Sequence, residues 1–125
     1  MSNVKDVQKK IKSKYFLEDP NPVYPLDIPD NFKYQTLILC HLEKKSISIL
    51  YSNWEVEKPF NLSPEFEEDD LGENRLYLIL TEMPLDIEED EDFITEDRFE
   101  EILLQINGTS KKFLACIDIS IEKRS

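Results

Sequence analysis

Arg75-Leu-Tyr-Leu-Ile-Leu-Thr81 carries five apolar residues in succession, Leu76 to Leu80, with no polar interruption. An amphipathic helix or a half-exposed strand would break such a run, so it predicts a strand covered on both faces, at the centre of a sheet.

Downstream, an acidic loop extends to Asp92, and Ile94-Thr95 then opens the clearest helix. Thr95 is its N-cap, Glu96 and Asp97 suit the positive end of the helix dipole, and Ile94 is placed to staple onto Phe99. Phe99, Ile102, Leu103 and Ile106 form its apolar stripe, and Asn107-Gly108 is a left-handed stop. From Lys112 to Glu122, Phe113, Ala115, Ile117, Ile119 and Ile121 alternate with polar residues, which predicts the last strand.

Upstream, Tyr34 to Leu42 is apolar on both faces, whereas Ser46 to Ser52 alternates cleanly, with Ile47, Ile49 and Tyr51 directed inward. Glu43-Lys-Lys45 between them predicts an antiparallel hairpin. Residues 53–74 show no sustained period and read as a long surface loop, with a turn of helix after Ser63-Pro64. Pro20, Pro22, Pro25 and Pro29 impose an extended strap, anchored by Val23, Tyr24, Leu26 and Ile28. Val4, Val7, Ile11 and Tyr15 recur at helical spacing, so residues 3–15 read as an amphipathic helix with Lys5, Lys9, Lys10, Lys12 and Lys14 on its basic outer face. The expectation is a single α+β domain over residues 1–125. It holds a mainly antiparallel sheet of about four strands, an N-terminal helix, a helix before the last strand, and acidic loops at 53–74 and 82–93.

The chain has 125 residues, a length that folds as one core and buries roughly two thirds of its unfolded surface. Two glycines, Gly72 and Gly108, are too few for a Gly-rich phosphate loop, which excludes P-loop and Rossmann nucleotide binding. No apolar run reaches the roughly 20 residues that span a bilayer, and no hydrophobic stretch follows the N-terminal lysines. The expectation is a soluble, cytoplasmic chain without a signal peptide. Cys40 and Cys116 lie in apolar strand-like runs and read as free, buried thiols.

Catalytic chemistry finds little material. The single histidine, His41, adjoins Cys40 on a strand, where neighbouring side chains point to opposite faces and cannot couple. Asp86-Ile-Glu-Glu-Asp-Glu-Asp92 is rich in oxygen ligands but lacks the alternation and central glycine of a calcium loop. No cofactor, metal site or catalytic residue is expected, and the chain reads as a non-enzyme. With a pI near 4.5, direct nucleic-acid binding fits poorly, because phosphate neutralisation needs clustered cations.

Charge segregation is the informative feature. Between Glu65 and Glu101 stand 17 acids and two bases, Arg75 and Arg98, a formal −15 within a chain of net −12. Such a field attracts a basic partner and raises its encounter rate. Glu65, Glu67, Glu68, Asp69 and Asp70 form one acidic arm, and Glu88, Glu89, Asp90, Glu91 and Asp92 a second. Trp54 and Phe66 are the expected hydrophobic anchors, with Phe60 and Phe93 also exposed-looking. The whole is expected to be displayed on one surface of a rigid scaffold.

In size, sign and single-domain build the chain resembles bacterial immunity proteins. That resemblance implies a stoichiometric inhibitor covering the basic active-site cleft of a nuclease-like toxin, with no membrane partner. A DNA-mimic anti-defence protein of a phage or mobile element, or an adaptor subunit of a larger assembly, are the alternatives.

Overall fold

The computed structural model describes residues 6–19, 24–25, 28–107 and 112–124. In chain order the elements are β1 (Asp6–Phe16), β2 (Tyr24–Pro25), β3 (Tyr34–His41), β4 (Ser46–Glu55), β5 (Asn61–Leu62), a 3-10 turn (Glu68–Asp70), β6 (Gly72–Thr81), β7 (Phe93–Ile94), α1 (Glu96–Asn107) and β8 (Lys112–Glu122). Six strands form one sheet in the order β1-β8-β6-β3-β4-β7, while β2 and β5 pair separately. β6 lies inside the sheet, hydrogen-bonded to β3 on one side and β8 on the other, both antiparallel. Leu78 and Ile79 on its opposite faces are both fully buried, and burying one such side chain contributes about 1.5–3 kcal/mol.

This architecture overturns the α+β expectation of four antiparallel strands and two helices. The sheet is mixed and six-stranded, and α1 is the one α-helix among the described residues. The difference lies at the N-terminus, where the expected helix is strand β1 from Asp6 onward, running parallel to β8 with Ile11 opposite Ile117 and Tyr15 opposite Ile121. Residues 3–5 of that expected helix lie outside the described residues. Spacings of four satisfy a period of 3.6 and a period of 2 alike, so Ile11 and Tyr15 share one face of either element. Pairing with β8 selects the strand, because only then does Tyr15 become 1% exposed while Lys10, Lys12 and Lys14 alternate into solvent.

Two apolar layers sandwich the sheet. On one face Tyr15, Leu37, Leu39, Leu76, Leu78, Leu80, Ala115, Ile117, Ile119 and Ile121 are covered by Tyr24 and Ile28 of the strap, by Phe32 just beyond it, and by Phe60, Leu62 and Phe66. On the other, Ile38, Ile49 and Ile79 are covered by Leu85 and by Ile102 of α1. The acidic connections therefore roof the core instead of floating off it. Val23 and Leu26, the strap's other expected contacts, lie outside the described residues, as does Gly108 of the expected helix stop.

α1 begins as its residues require: the Arg98 amide donates to Thr95 Oγ1 at 3.1 Å, and the Phe99 amide to the Thr95 carbonyl at 3.0 Å. The β3–β4 hairpin turns through residues 42–45, with Lys45 in the left-handed region at φ 53°. Among the described residues no helix is long and apolar enough to cross a membrane.

Candidate functional site

Apart from Glu65, the first acidic arm hangs between two residues of the strap-side layer, buried Phe66 and partly buried Leu71. Between them the chain closes one 3-10 turn, in which the Glu67 amide donates to Asp70 Oδ2 at 2.9 Å and the Asp70 amide to the Glu67 carbonyl at 2.9 Å. Asn74 Nδ2, buried beneath, donates to the Asp70 carbonyl at 2.9 Å. Two lysines already reach this arm: Lys44 Nζ donates to the Asp69 carbonyl at 2.8 Å, and Lys123 Nζ pairs with Glu68 Oε1 at 2.6 Å. Glu65, Glu67 and Asp69 are exposed.

The second arm belongs to the opposite layer. Leu85 and Ile87 sink into the helix-side core ahead of it and Ile94 follows it. Leu85 is held by Asn53, whose side chain donates to the Leu85 carbonyl at 2.8 Å and accepts from its amide at 2.7 Å. At the far end the Ile49 amide donates to the Asp92 carbonyl at 2.7 Å. Arg98, in the first turn of α1, clamps the middle. Its Nε and Nη2 reach the two oxygens of Glu91 at 2.5 and 2.9 Å, Nη2 donates to the Asp86 carbonyl at 2.7 Å, and Nη1 contacts Glu101 at 3.4 Å. The two-pronged bond holds the Glu91 carboxyl below its ordinary range and pushes the Arg98 guanidinium up, each charge stabilising the other. Glu91 is thus consumed internally, whereas Glu88, Glu89, Asp90 and Asp92 are exposed around the clamp.

The structure thus places the two arms on opposite faces of the sheet, not on one surface. Strand alternation is the reason: Leu37 and Leu39 look toward the first arm's layer, and Ile38 between them toward the second's. What adjoins the second arm is the outer face of α1, where Glu96, Asp97, Glu100 and Glu101 are exposed. Residues 82–101 carry eleven acids and one base, Arg98. Phe93, 77% exposed, and Leu104, 63% exposed, supply apolar surface there. The helical period of Glu96, Asp97, Glu100 and Glu101 was the available sign that these acids share a solvent face.

The expected anchors separate as well. Phe66 is 9% exposed, its ring edge-on to Tyr15 at 4.7 Å, and Phe60 is buried in the same layer. Both are core residues, since a ring that roofs the sheet is not open to a partner. Trp54 is 59% exposed and stacks on Tyr51 with ring centroids 4.1 Å apart. It stands near the end of β4 remote from the second arm, over a cleft lined by Gln35, Pro59 and Phe60.

His41 is buried, with Nε2 donating to the Leu71 carbonyl at 3.1 Å and Nδ1 accepting from the Lys44 amide at 3.4 Å. Both ring nitrogens are engaged by backbone, so the ring braces the hairpin turn against the start of β6. Gly72 beside it adopts φ 118°, a backbone conformation that residues with a side chain rarely take, although a Cβ there would make only ordinary contact with the Glu43 carboxylate and the His41 ring. Cys40 and Cys116 are free and partly buried, and burial pushes the Cys40 thiol up to about 11 and the Cys116 thiol in the same direction. Among the described residues no three His, Cys, Asp or Glu side chains converge as a metal site would require.

Fold and surface together define a mixed-sheet domain with one strongly acidic, partly apolar edge, built by α1 and the loop that precedes it. No family model matches the chain, and neither a curated protein nor a solved structure gives a significant match.

Proposed function

We propose that the chain is a non-catalytic inhibitor of a basic protein, acting as immunity proteins act on nuclease toxins, by covering a cleft lined with Lys and Arg. The supporting observation is the surface of α1 and residues 86–92, where the sole base, Arg98, is already bound to Glu91. The loop is tied at both ends and clamped by Arg98, so the backbone that carries its exposed carboxylates is held in place before a partner arrives, which lowers the entropy cost of binding. Phe93 supplies the desolvated contact and the carboxylates supply steering. The interacting residues are Glu88, Glu89, Asp90 and Asp92 with Phe93, Glu96 and Glu100; the first arm, on the other face and partly engaged by lysines, is secondary.

The test is association kinetics with the partner co-purified from the native cell. Reversing Glu88, Asp90, Glu96 and Glu100 to Lys slows association by at least about tenfold at low salt, since steering contributes that much or more. Reversing Glu65, Glu67 and Asp69 has a much smaller effect. Equal rates for all three proteins refute the reading. Competition by duplex DNA across several unrelated partners would instead favour a DNA mimic.

A further inference from the structure

Tyr51 and Trp54 are three residues apart on β4, a spacing that in a regular strand sends them to opposite faces. The β3–β4 ladder has two irregularities, and the one between Tyr51 and Trp54 cancels this. Leu37 faces Tyr51 while Ile38 faces Ile49, which leaves Leu50 as an extra residue, and Gln35 faces Trp54, which leaves two residues opposite Thr36. Asn53, at φ 56°, takes up the second irregularity and donates its amide to Thr36 Oγ1 at 3.1 Å. The result is an indole lying nearly flat on a phenol ring, with 16° between their planes. Bulges that re-aim a side chain recur next to binding sites, and a left-handed non-glycine residue is a conformational cost that surrounding structure must offset.

The stack forms one wall of an open cleft of about 600 Å³ whose other walls include Pro59 and Phe60. Its polar end is already organised: Tyr51 Oη donates to Gln35 Oε1 at 2.8 Å, and Gln35 Nε2 donates to the Glu55 carbonyl at 2.9 Å. Glu55 and Glu57 line the same cleft. The neighbouring cation, Lys58, is turned away, bonded to the Ile28 carbonyl and paired with Asp30. An exposed aromatic face beside two acids that form no ion pair among the described residues attracts a flat cation, and guanidinium stacks on indole better than ammonium does.

We infer that this cleft receives an arginine side chain of a protein partner, its guanidinium on the Trp54 face and its charge against Glu55 and Glu57. The acidic edge of α1 has no part in this argument, and the site stands whether or not that edge binds a toxin.

Trp54 is the chain's single tryptophan, so indole emission reports on this cleft alone. Titration with Nα-acetyl-argininamide gives a saturable change, the lysine analogue binds several-fold more weakly, and the uncharged citrulline analogue does not saturate. Replacing both acids, Glu55→Gln with Glu57→Gln, weakens arginine binding by roughly threefold to tenfold with unchanged thermal unfolding. Reversal of the acidic edge at Glu88, Asp90, Glu96 and Glu100 leaves it unaltered. A citrulline response equal to that of arginine, an absent arginine response, saturation by a proline-rich peptide only, or indifference to the double substitution would each overturn the assignment.

Discussion

Asn53 is the residue on which both the Trp54 platform and the acidic loop depend, and its replacement separates two kinds of energy. Its side chain makes two hydrogen bonds to the backbone of Leu85, at 2.7 and 2.8 Å, in a partly buried setting. At a net value of about 1 kcal/mol each, their loss costs about 2 kcal/mol. Its backbone lies in the left-handed region, where glycine is at ease and alanine is strained by about 1 kcal/mol or more. Asn53→Gly therefore destabilises by about 2 kcal/mol and Asn53→Ala by about 3 kcal/mol, against a total stability of about 5–15 kcal/mol for a domain of this class. Urea denaturation followed by far-UV circular dichroism measures both, and the emission of Trp54 shows whether its stack on Tyr51 persists. An alanine variant as stable as the glycine variant would refute the claim that this position needs a left-handed backbone. A loss below about 0.5 kcal/mol in both would refute the role of the Leu85 tether.

Ile102, fully buried between α1 and the sheet, should cost about 2–5 kcal/mol when replaced by alanine, read as a lower urea midpoint with an unchanged slope. Glu91→Gln removes the clamp on Arg98 and should destabilise by about 1–2 kcal/mol at neutral pH. Because the Glu91 carboxyl is held below its ordinary value of 4.5, that contribution is complete above this value. It fades as pH falls through the lower folded-state value, so the two proteins converge in stability in acid. Cys40, with its thiol pushed up to about 11 from 9, should hold roughly a hundredfold less thiolate near neutral pH than a free cysteine. It should therefore resist iodoacetamide until urea unfolds the chain, and fast native labelling of Cys40 would contradict its burial.

Local signals read correctly wherever one period fits and another fails. Leu76 to Leu80 admits only a doubly covered strand, Thr95 with Glu96 and Asp97 only a helix start, and Glu43-Lys-Lys45 between two strand-like runs only a hairpin. The expected single face for Ile47, Ile49 and Tyr51 fails, because the bulge at Leu50 sends Tyr51 to the other side of the sheet. The N-terminal segment was ambiguous for the same reason in reverse, because residues four apart satisfy both periods, and its true partner, β8, lies about a hundred residues away in the chain. Trp54 was placed in a loop because the bulges at Leu50 and around Asn53 break the alternation that marks a strand. Phe60 and Phe66 looked exposed because acids surround them in sequence, yet alternating with acids is how a roofing loop buries one side and solvates the other.

By its residues alone, then, the chain specified a central strand, a capped helix, a hairpin and a marked segregation of charge, all of which are properties of short windows governed by backbone period and side-chain polarity. Only the folded sheet decided which face each acidic arm occupies, that the first eleven described residues extend instead of coil, and that an indole and a phenol three residues apart meet on one side. Those outcomes depend on register between distant strands, where a single inserted residue reverses the face that every following side chain presents.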